Sequence, residues 1–465
     1  MVTRLGQPTS HGFMQRLKQP HSRRREEADF TALPSPLLHV VGYAAEARQT
    51  SVLRYTAPVQ VERRPRPWVE YTELAALFLI QGAAMGMWFV PLSTVLDANG
   101  LHAVKPFAFA TSALAAFVSP LIFGAMADRH ASPVRVLRGL SLATGLAMAL
   151  ASTGIQQRWN PWLVIGLIQL HALCSSPTWS IASTIVFARL REPKREFGPI
   201  RAMATIGWMG GCLLVSALGA DTTALAGYSG AVTWAVVAAL SYLLPVVEPP
   251  PVSGPVTIRQ RLGLDALTLL KNHDHRVVFI TAALFNIPLA AFYPYTPPHL
   301  KELGLGHTTA WMSLGQVTEI IVMFGLAGLL ARWRLKWIIV AGLGFGVVRF
   351  ALCALDNRAG VLAGVVLHGC SFTLVFITAQ IYLDERVAPG WRARAQALMA
   401  LMTGGVGNLL GYLGGGWWFA FNTSPTGTRW SVFWIGLTVA VAGVLCYFLL
   451  AYHGRSSGLA QEKLN

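Results

Sequence analysis

The chain has 465 residues, of which 12% are charged and 54% hydrophobic, with a mean hydropathy of +0.48. Soluble domains carry about 25% charge, so a soluble fold, a disordered scaffold and a disulfide-rich secreted module are excluded. The net charge of +16 is sorted by topology and is no footprint of nucleic-acid binding. The five cysteines lie in apolar stretches without CxxC spacing, as small packing residues do.

Residues 1–66 hold Arg23-Arg24-Arg25, scattered prolines and no sustained apolar run. They lack the apolar core of a signal peptide. They read as a disordered basic cytoplasmic tail or an upstream start codon, with a lipid-binding arm as the sharper alternative. After Pro67 come twelve apolar segments, each long enough to cross ~30 Å of hydrocarbon. These spans are predicted at 72–95, 106–127, 134–155, 161–186, 199–219, 224–246, 277–297, 308–331, 336–355, 360–383, 394–419 and 429–452.

With the N-terminus inside, 31 of the 37 Lys and Arg fall on the cytoplasmic side and only Lys105, Arg158, Lys301, Arg358 and Arg429 outside. Arg349 stands alone within a span. The positive-inside rule therefore places both termini in the cytoplasm.

A longer segment, 247–276, divides the spans six and six, giving halves at 67–246 and 277–454 and a tail at 455–465. Leucines at helical spacing in Arg261–Lys271 predict a short amphipathic surface helix. The halves carry a faint repeat. Arg201-Ala-Met-Ala opens span 5 and Arg394-Ala-Gln-Ala opens span 11; Gly124-x-x-Ala127 and Gly328-x-x-Ala331 end spans 2 and 8. Such ordering fits two related six-helix bundles.

Gly124-Ala-Met-Ala-Asp128-Arg129, followed by Arg135 and Arg138, resembles the loop signature between helices 2 and 3 of the major facilitator superfamily. The glycine usual after the arginine is absent. An aspartate there can meet basic side chains and the N-terminal dipole of span 11, a cytoplasmic gate latch built on Gly124, Asp128 and Arg129. Narrower matches resemble the nucleoside:proton symporters, relatives of the lactose permease. They are Phe197-Gly-Pro-Ile-Arg201-Ala-Met-Ala-Thr205-Ile-Gly-Trp208, Cys174-Ser-Ser-Pro177-Thr178, Gly263-Leu-Asp-Ala, Gln316-Val-Thr-Glu319, Arg349-Phe-Ala-Leu and His368-Gly-Cys. The resemblance implies an all-α major facilitator fold and substrate contacts at Arg201, Thr205, Trp208, Gln316, Glu319, Phe372 and Thr373. Thr373 stands where that family has an aspartate, and its polar helix 7 pair falls near Ala290 and Tyr293.

Charges at membrane depth mark pathways or relays. Away from helix ends there are two, Glu319 and Arg349, joined by His368 on the next span. At 1.5 Å per residue Glu319 lies ~16 Å below the outer end of span 8 and Arg349 ~20 Å above the inner end of span 9. Burial favours a neutral glutamate and a nearby arginine an ionised one, so Glu319, Arg349 and His368 are the expected proton-coupling set. A static buried ion pair is the other reading. Trp88, Trp179, Trp208 and Phe372 can stack on a planar ring, and Tyr293–Pro298 is an expected hinge in span 7.

No phosphate loop, zinc spacing or catalytic triad occurs. The expectation is a monomeric proton-coupled transporter of a nucleoside-like solute in the cell inner membrane, with no enzymatic activity, cofactor, metal or nucleic-acid partner. A sugar permease, a drug-type exporter and a transport-inactive receptor are the alternatives.

Overall fold

The computed structural model describes residues 67–129, 132–190, 192–244, 257 and 264–454. Pro67, Pro133, Pro161 and Pro193 each open a helix, where a missing N–H costs little and φ is already helical. They start α1 (Pro67–Phe89), α4 (Pro133–Gln156), α5 (Pro161–Ser175) and α7 (Pro193–Ala217). α2 (Leu92–Ala98) extends α1, α3 (Lys105–Arg129) follows a 3₁₀ turn, and α6 (Thr178–Arg189) extends α5 past Pro177. α8 (Leu225–Leu240) completes this N-terminal group.

The C-terminal group is more interrupted. α9 (His273–Ala290) and α10 (Phe292–Glu302) meet at Ala291, where Pro294 cannot donate to the carbonyl one turn back. α11 (Thr308–Met312) and α12 (Leu314–Arg332) follow, then α13 (Leu335–Cys353). α14 (Arg358–Phe372) runs into α15 (Thr378–Arg386) through a π-helical segment, Thr373–Ile377. A second π segment, Leu401–Gly407, joins α16 (Arg392–Ala400) to α17 (Asn408–Phe421). A two-residue hairpin, β1 (Thr423–Ser424) and β2 (Gly427–Thr428), leads to α18 (Trp430–Ala451).

Among the described residues, nine helices are long and apolar enough to cross a membrane, at the positions of expected spans 1, 3, 5 and 7 to 12. Expected spans 2, 4 and 6 coincide with α3, the α5–α6 pair and α8. The segment expected as an amphipathic surface helix is instead a 3₁₀ helix, Leu264–Lys271. Its Ala266 is fully buried and Leu269 and Leu270 pack partly on the C-terminal core, while Leu267 stays exposed.

Each group has its own apolar core, and each is stitched by a small-residue seam that lets two backbones touch. In the N-terminal group, a Cβ on Gly207 or Gly211 of α7 would strike the carbonyls of Leu79 or Ala83 on α1; Gly82 and Gly86 return the contact against Ala204 and Trp208. α9 and α17 repeat the arrangement through Gly407 and Gly411.

The two groups touch at the end distal to the start of α1, through α7 with α11 and α2 with α10, and along α3, which packs on α17 and on the Leu401–Gly407 segment. Asp221 Oδ1 accepts from Thr309 N at 2.8 Å and from Ser216 Oγ at 2.8 Å, and Ser216 Oγ accepts from Ala310 N at 2.9 Å. The end of α7 thus satisfies otherwise orphaned N–H groups in the first turn of α11. Ser93 Oγ donates to the Pro294 carbonyl. An apolar cluster of Val90, Cys212, Phe292, Leu300, Met312, Val361 and Val365 fills the space behind these bonds.

Candidate substrate and proton site

α7 presents Arg201, Thr205 and Trp208 on successive turns, all half-buried. The Arg201 guanidinium lies 5.2 Å from the Trp179 ring centroid, where the quadrupole of the ring attracts a cation. Trp208 meets Phe89 of α1 (6.0 Å between ring centroids) and Tyr293 of α10 (6.2 Å). Phe89 and Tyr293 themselves are 5.2 Å apart, edge to face. An aromatic trio therefore straddles the two helix groups.

From the other side, α12 supplies Gln316 and Glu319, one turn apart on a shared face. Gln316 Nε2 donates to the Tyr293 hydroxyl at 3.0 Å. Its Oε1 is buried without a partner, and so is the indole N–H of Trp208. One orphaned acceptor and one orphaned donor thus stand on either side of Tyr293. Glu319 is half-buried and its carboxylate acts electrostatically on Arg201.

That pairing corrects the sequence expectation. Glu319 acts on Arg201, whereas Arg349 is engaged with His368 and Phe292. The Arg349 side chain is fully buried, and its Nη1–H donates to His368 Nδ1 at 2.7 Å. A guanidinium only donates, so this bond fixes His368 as the neutral tautomer with its proton on Nε2. Phe292 packs against both: its ring centroid is 4.3 Å from the Arg349 guanidinium carbon and 4.2 Å from the imidazole. Ser371 Oγ lies 3.5 Å from Arg349 Nη1. Arg349 Nε and Nη2 have no partner.

Two glycines set this geometry. Gly369 of α14 lies against the backbone of Glu319, and a Cβ on Gly315 of α12 would sit 3.2 Å from His368 Cβ. Glu319 and His368 therefore stand on one close-packed seam.

Phe372 is half-buried, 5.9 Å from His368. Thr373 opens the π segment and is fully buried, its Oγ1 unpartnered. Trp88 is buried against His171 at 5.4 Å, inside the N-terminal core and apart from Arg201, Thr205 and Trp208. The side chains of Gly124, Asp128 and Arg129 lie outside the described residues.

Three contributors escaped the sequence reading. Tyr293 was expected as part of a hinge and as a position near which the family's polar helix 7 pair falls, but not as the hydroxyl that holds Gln316. Phe89 had no motif. Asn286 donates to Thr403 O at 2.8 Å and Asn408 Oδ1 at 2.6 Å, holding α9 to the π segment; the only signal was a lone amide in an apolar span.

Residues 71–457 match the family described as Nucleoside H+ symporter. This chain belongs to the nucleoside H+ symporter family. It is 30% identical over 417 residues to YegT of Escherichia coli (strain K12), a protein named for nucleoside transport, covering 84% of this chain and 96% of YegT. The Escherichia coli (strain K12) nucleoside permease NupG is 23% identical over 398 residues, covering 80% of this chain and 93% of NupG. The crystal structure of NupG superposes with a TM-score of 0.75 at 22% identity, covering 83% of this chain and 99% of that one. A bacterial homologue of the lysosomal transporter Spinster, in an inward-facing state, gives a TM-score of 0.66 at 13% identity, covering 84% and 96%. The fold of this nucleoside H+ symporter family member is therefore that of the solved transporters, in a multi-pass membrane protein.

Proposed function

We propose that this chain carries a nucleoside-like solute inward across the cytoplasmic membrane together with protons, by alternating access. The carrying observation is the set between the two helix groups: Arg201 facing Glu319, beside an aromatic trio with one free donor and one free acceptor. Buried polar atoms without partners are costly in a membrane. A planar, hydrogen-bonding base satisfies both and stacks on the rings.

The charge count puts the termini inside, so the contact end between the two groups, distal to the start of α1, faces outward. Glu319 is the carboxyl group that a proton can neutralise in the site. When it is protonated, Arg201 loses its counter-charge, and the balance between the two helix groups shifts. Arg201, Thr205, Trp208, Gln316 and Phe372 are the proposed substrate contacts. Arg349 holds His368 in one neutral tautomer; release of that bond frees Nδ1 to take a proton, and the pair then serves as a second proton station. Asp128 and Arg129 belong to the proposed inner gate. The transporter works as a monomer, since one chain contains the whole site.

The test is Glu319→Gln in proteoliposomes with an imposed pH gradient. Accumulation of labelled nucleoside is lost, whereas nucleoside exchange without a gradient persists, because exchange needs no net proton movement. Undiminished accumulation would remove Glu319 from the coupling role. Loss of exchange as well would make it a substrate contact.

A further inference from the structure

The two ends of the C-terminal helix group come together away from the transport site. His273 and Asp274 begin α9, and His453 follows the last turn of α18. One ligand atom from each lies within 4.8 Å of the other two. We propose that these three side chains bind one divalent first-row transition-metal ion, of the zinc, nickel or copper type.

The donor set is the first argument. Two imidazoles and one carboxylate are borderline ligands that suit such ions, and three protein ligands with solvent in the fourth position is a common zinc arrangement. Calcium and magnesium prefer all-oxygen surroundings.

Preorganisation is the second. His453 Nδ1 lies 2.8 Å from the Ala451 carbonyl. A carbonyl only accepts, so Nδ1 carries the proton and the Nε2 lone pair is free to bind a metal. Metal-binding histidines are oriented in this way by a bond from their other ring nitrogen. The backbone N–H of His453 donates to Asp274 Oδ1 at 3.3 Å and aims the carboxylate at the same place. His273 Nδ1 is 3.5 Å from Asp274 Oδ1, and the two rings stand edge to face at 5.0 Å.

Freedom to close is the third. The Asp274 side chain is 11% exposed and held, whereas that of His273 is 49% exposed and can rotate. The small contraction needed to reach ~2.1 Å metal bonds falls on the mobile partner. Lys336 donates to the Tyr452 carbonyl, next to His453, at 2.9 Å, so its charge is engaged there. Asp274 and His453 are 179 positions apart, so no short spacing could reveal the trio. A bound ion would tie the first helix of the group to its last at the cytoplasmic end.

The experiment uses the full chain, purified without a histidine tag, stripped with chelator and titrated with Zn²⁺ alone. Cys446 is replaced by Ser throughout, because it is the exposed thiol among the described residues. One equivalent binds. His453→Ala and His273→Ala each weaken binding at least about tenfold, while nucleoside uptake is unchanged. Cu²⁺ in the parent shows nitrogen hyperfine splitting in its electron paramagnetic resonance, and this is diminished in each variant. Zn²⁺ raises the thermal unfolding midpoint of the parent and moves neither variant. Equal binding by parent and variants, or absence of stoichiometric binding in the parent, overturns the site. Should one variant fail to fold, the other and Asp274→Asn read the same quantity.

Discussion

The two helix groups share a plan and differ in stiffness. In the N-terminal group, α1 and α7 meet backbone to backbone at four glycines, and α7 runs unbroken from Pro193 to Ala217. In the C-terminal group, the equivalent seam passes through a π segment at Leu401–Gly407, α14 passes through another, and α9 is broken from α10. π segments often mark functional sites inside helices. Here Thr373–Ile377 directly follows the helix that carries His368 and Phe372 and packs on the helix that carries Arg349, while the N-terminal group offers Arg201 from one uninterrupted helix. One group is a rigid platform; the other is built to bend around the buried charges.

That contrast can be broken most directly at the seams. Gly207→Ala drives a Cβ into the Leu79 carbonyl, which a fixed backbone cannot avoid, and costs about 2–3 kcal/mol. Gly407→Ala meets its nearest atom, the Ala283 carbonyl, at 3.0 Å and lies in the π segment; it costs about 1 kcal/mol or less. Thermal unfolding of the two variants in detergent measures the difference, and equal losses would refute the stiff-platform view. Gly443→Ala, with open space around it, is the neutral control.

The next effect concerns the outer seal. Asp221→Ala leaves the N–H of Thr309 and the Ser216 hydroxyl without their acceptor. Loss of such charge-assisted bonds, about 1.5–3 kcal/mol, shifts the balance toward outward-open by about tenfold or more. Cys212 is buried in the seal, so its labelling by an impermeant maleimide from outside accelerates accordingly. An unchanged rate would show that the apolar cluster alone closes this end. The smallest effect is at Asn286. Asn286→Ala frees the Thr403 carbonyl and Asn408, costs about 1 kcal/mol, and raises amide exchange in 401–407 while 201–216 stays protected.

The sequence makes the spans, the motifs of α7 and α12 and the depth of Glu319 and Arg349 legible, because length, hydropathy and 1.5 Å per residue are local quantities. It does not disclose which arginine serves Glu319. Depth follows from counting, but the direction a side chain faces depends on how helices are rotated against each other. Arg349 turns toward α14 and Phe292; Arg201, counted among the cytoplasmic charges, stands two turns inside α7. Tyr293 hid within a run of prolines that reads as a hinge. The metal-ligating trio was hidden for a similar reason, its members being brought together only by closure of the helix group.

The uninterrupted run of α7 has one more consequence. Arg201 and Ser216 are 15 positions apart on it, ~22 Å along a single axis, with the site at one end and the outer seal at the other. With its glycines locked on α1, this helix cannot absorb a displacement by flexing in between. On the proposed function, a solute that tilts Arg201 would lever Ser216 away from the first turn of α11. Occupancy and outward opening become two readings of one angle.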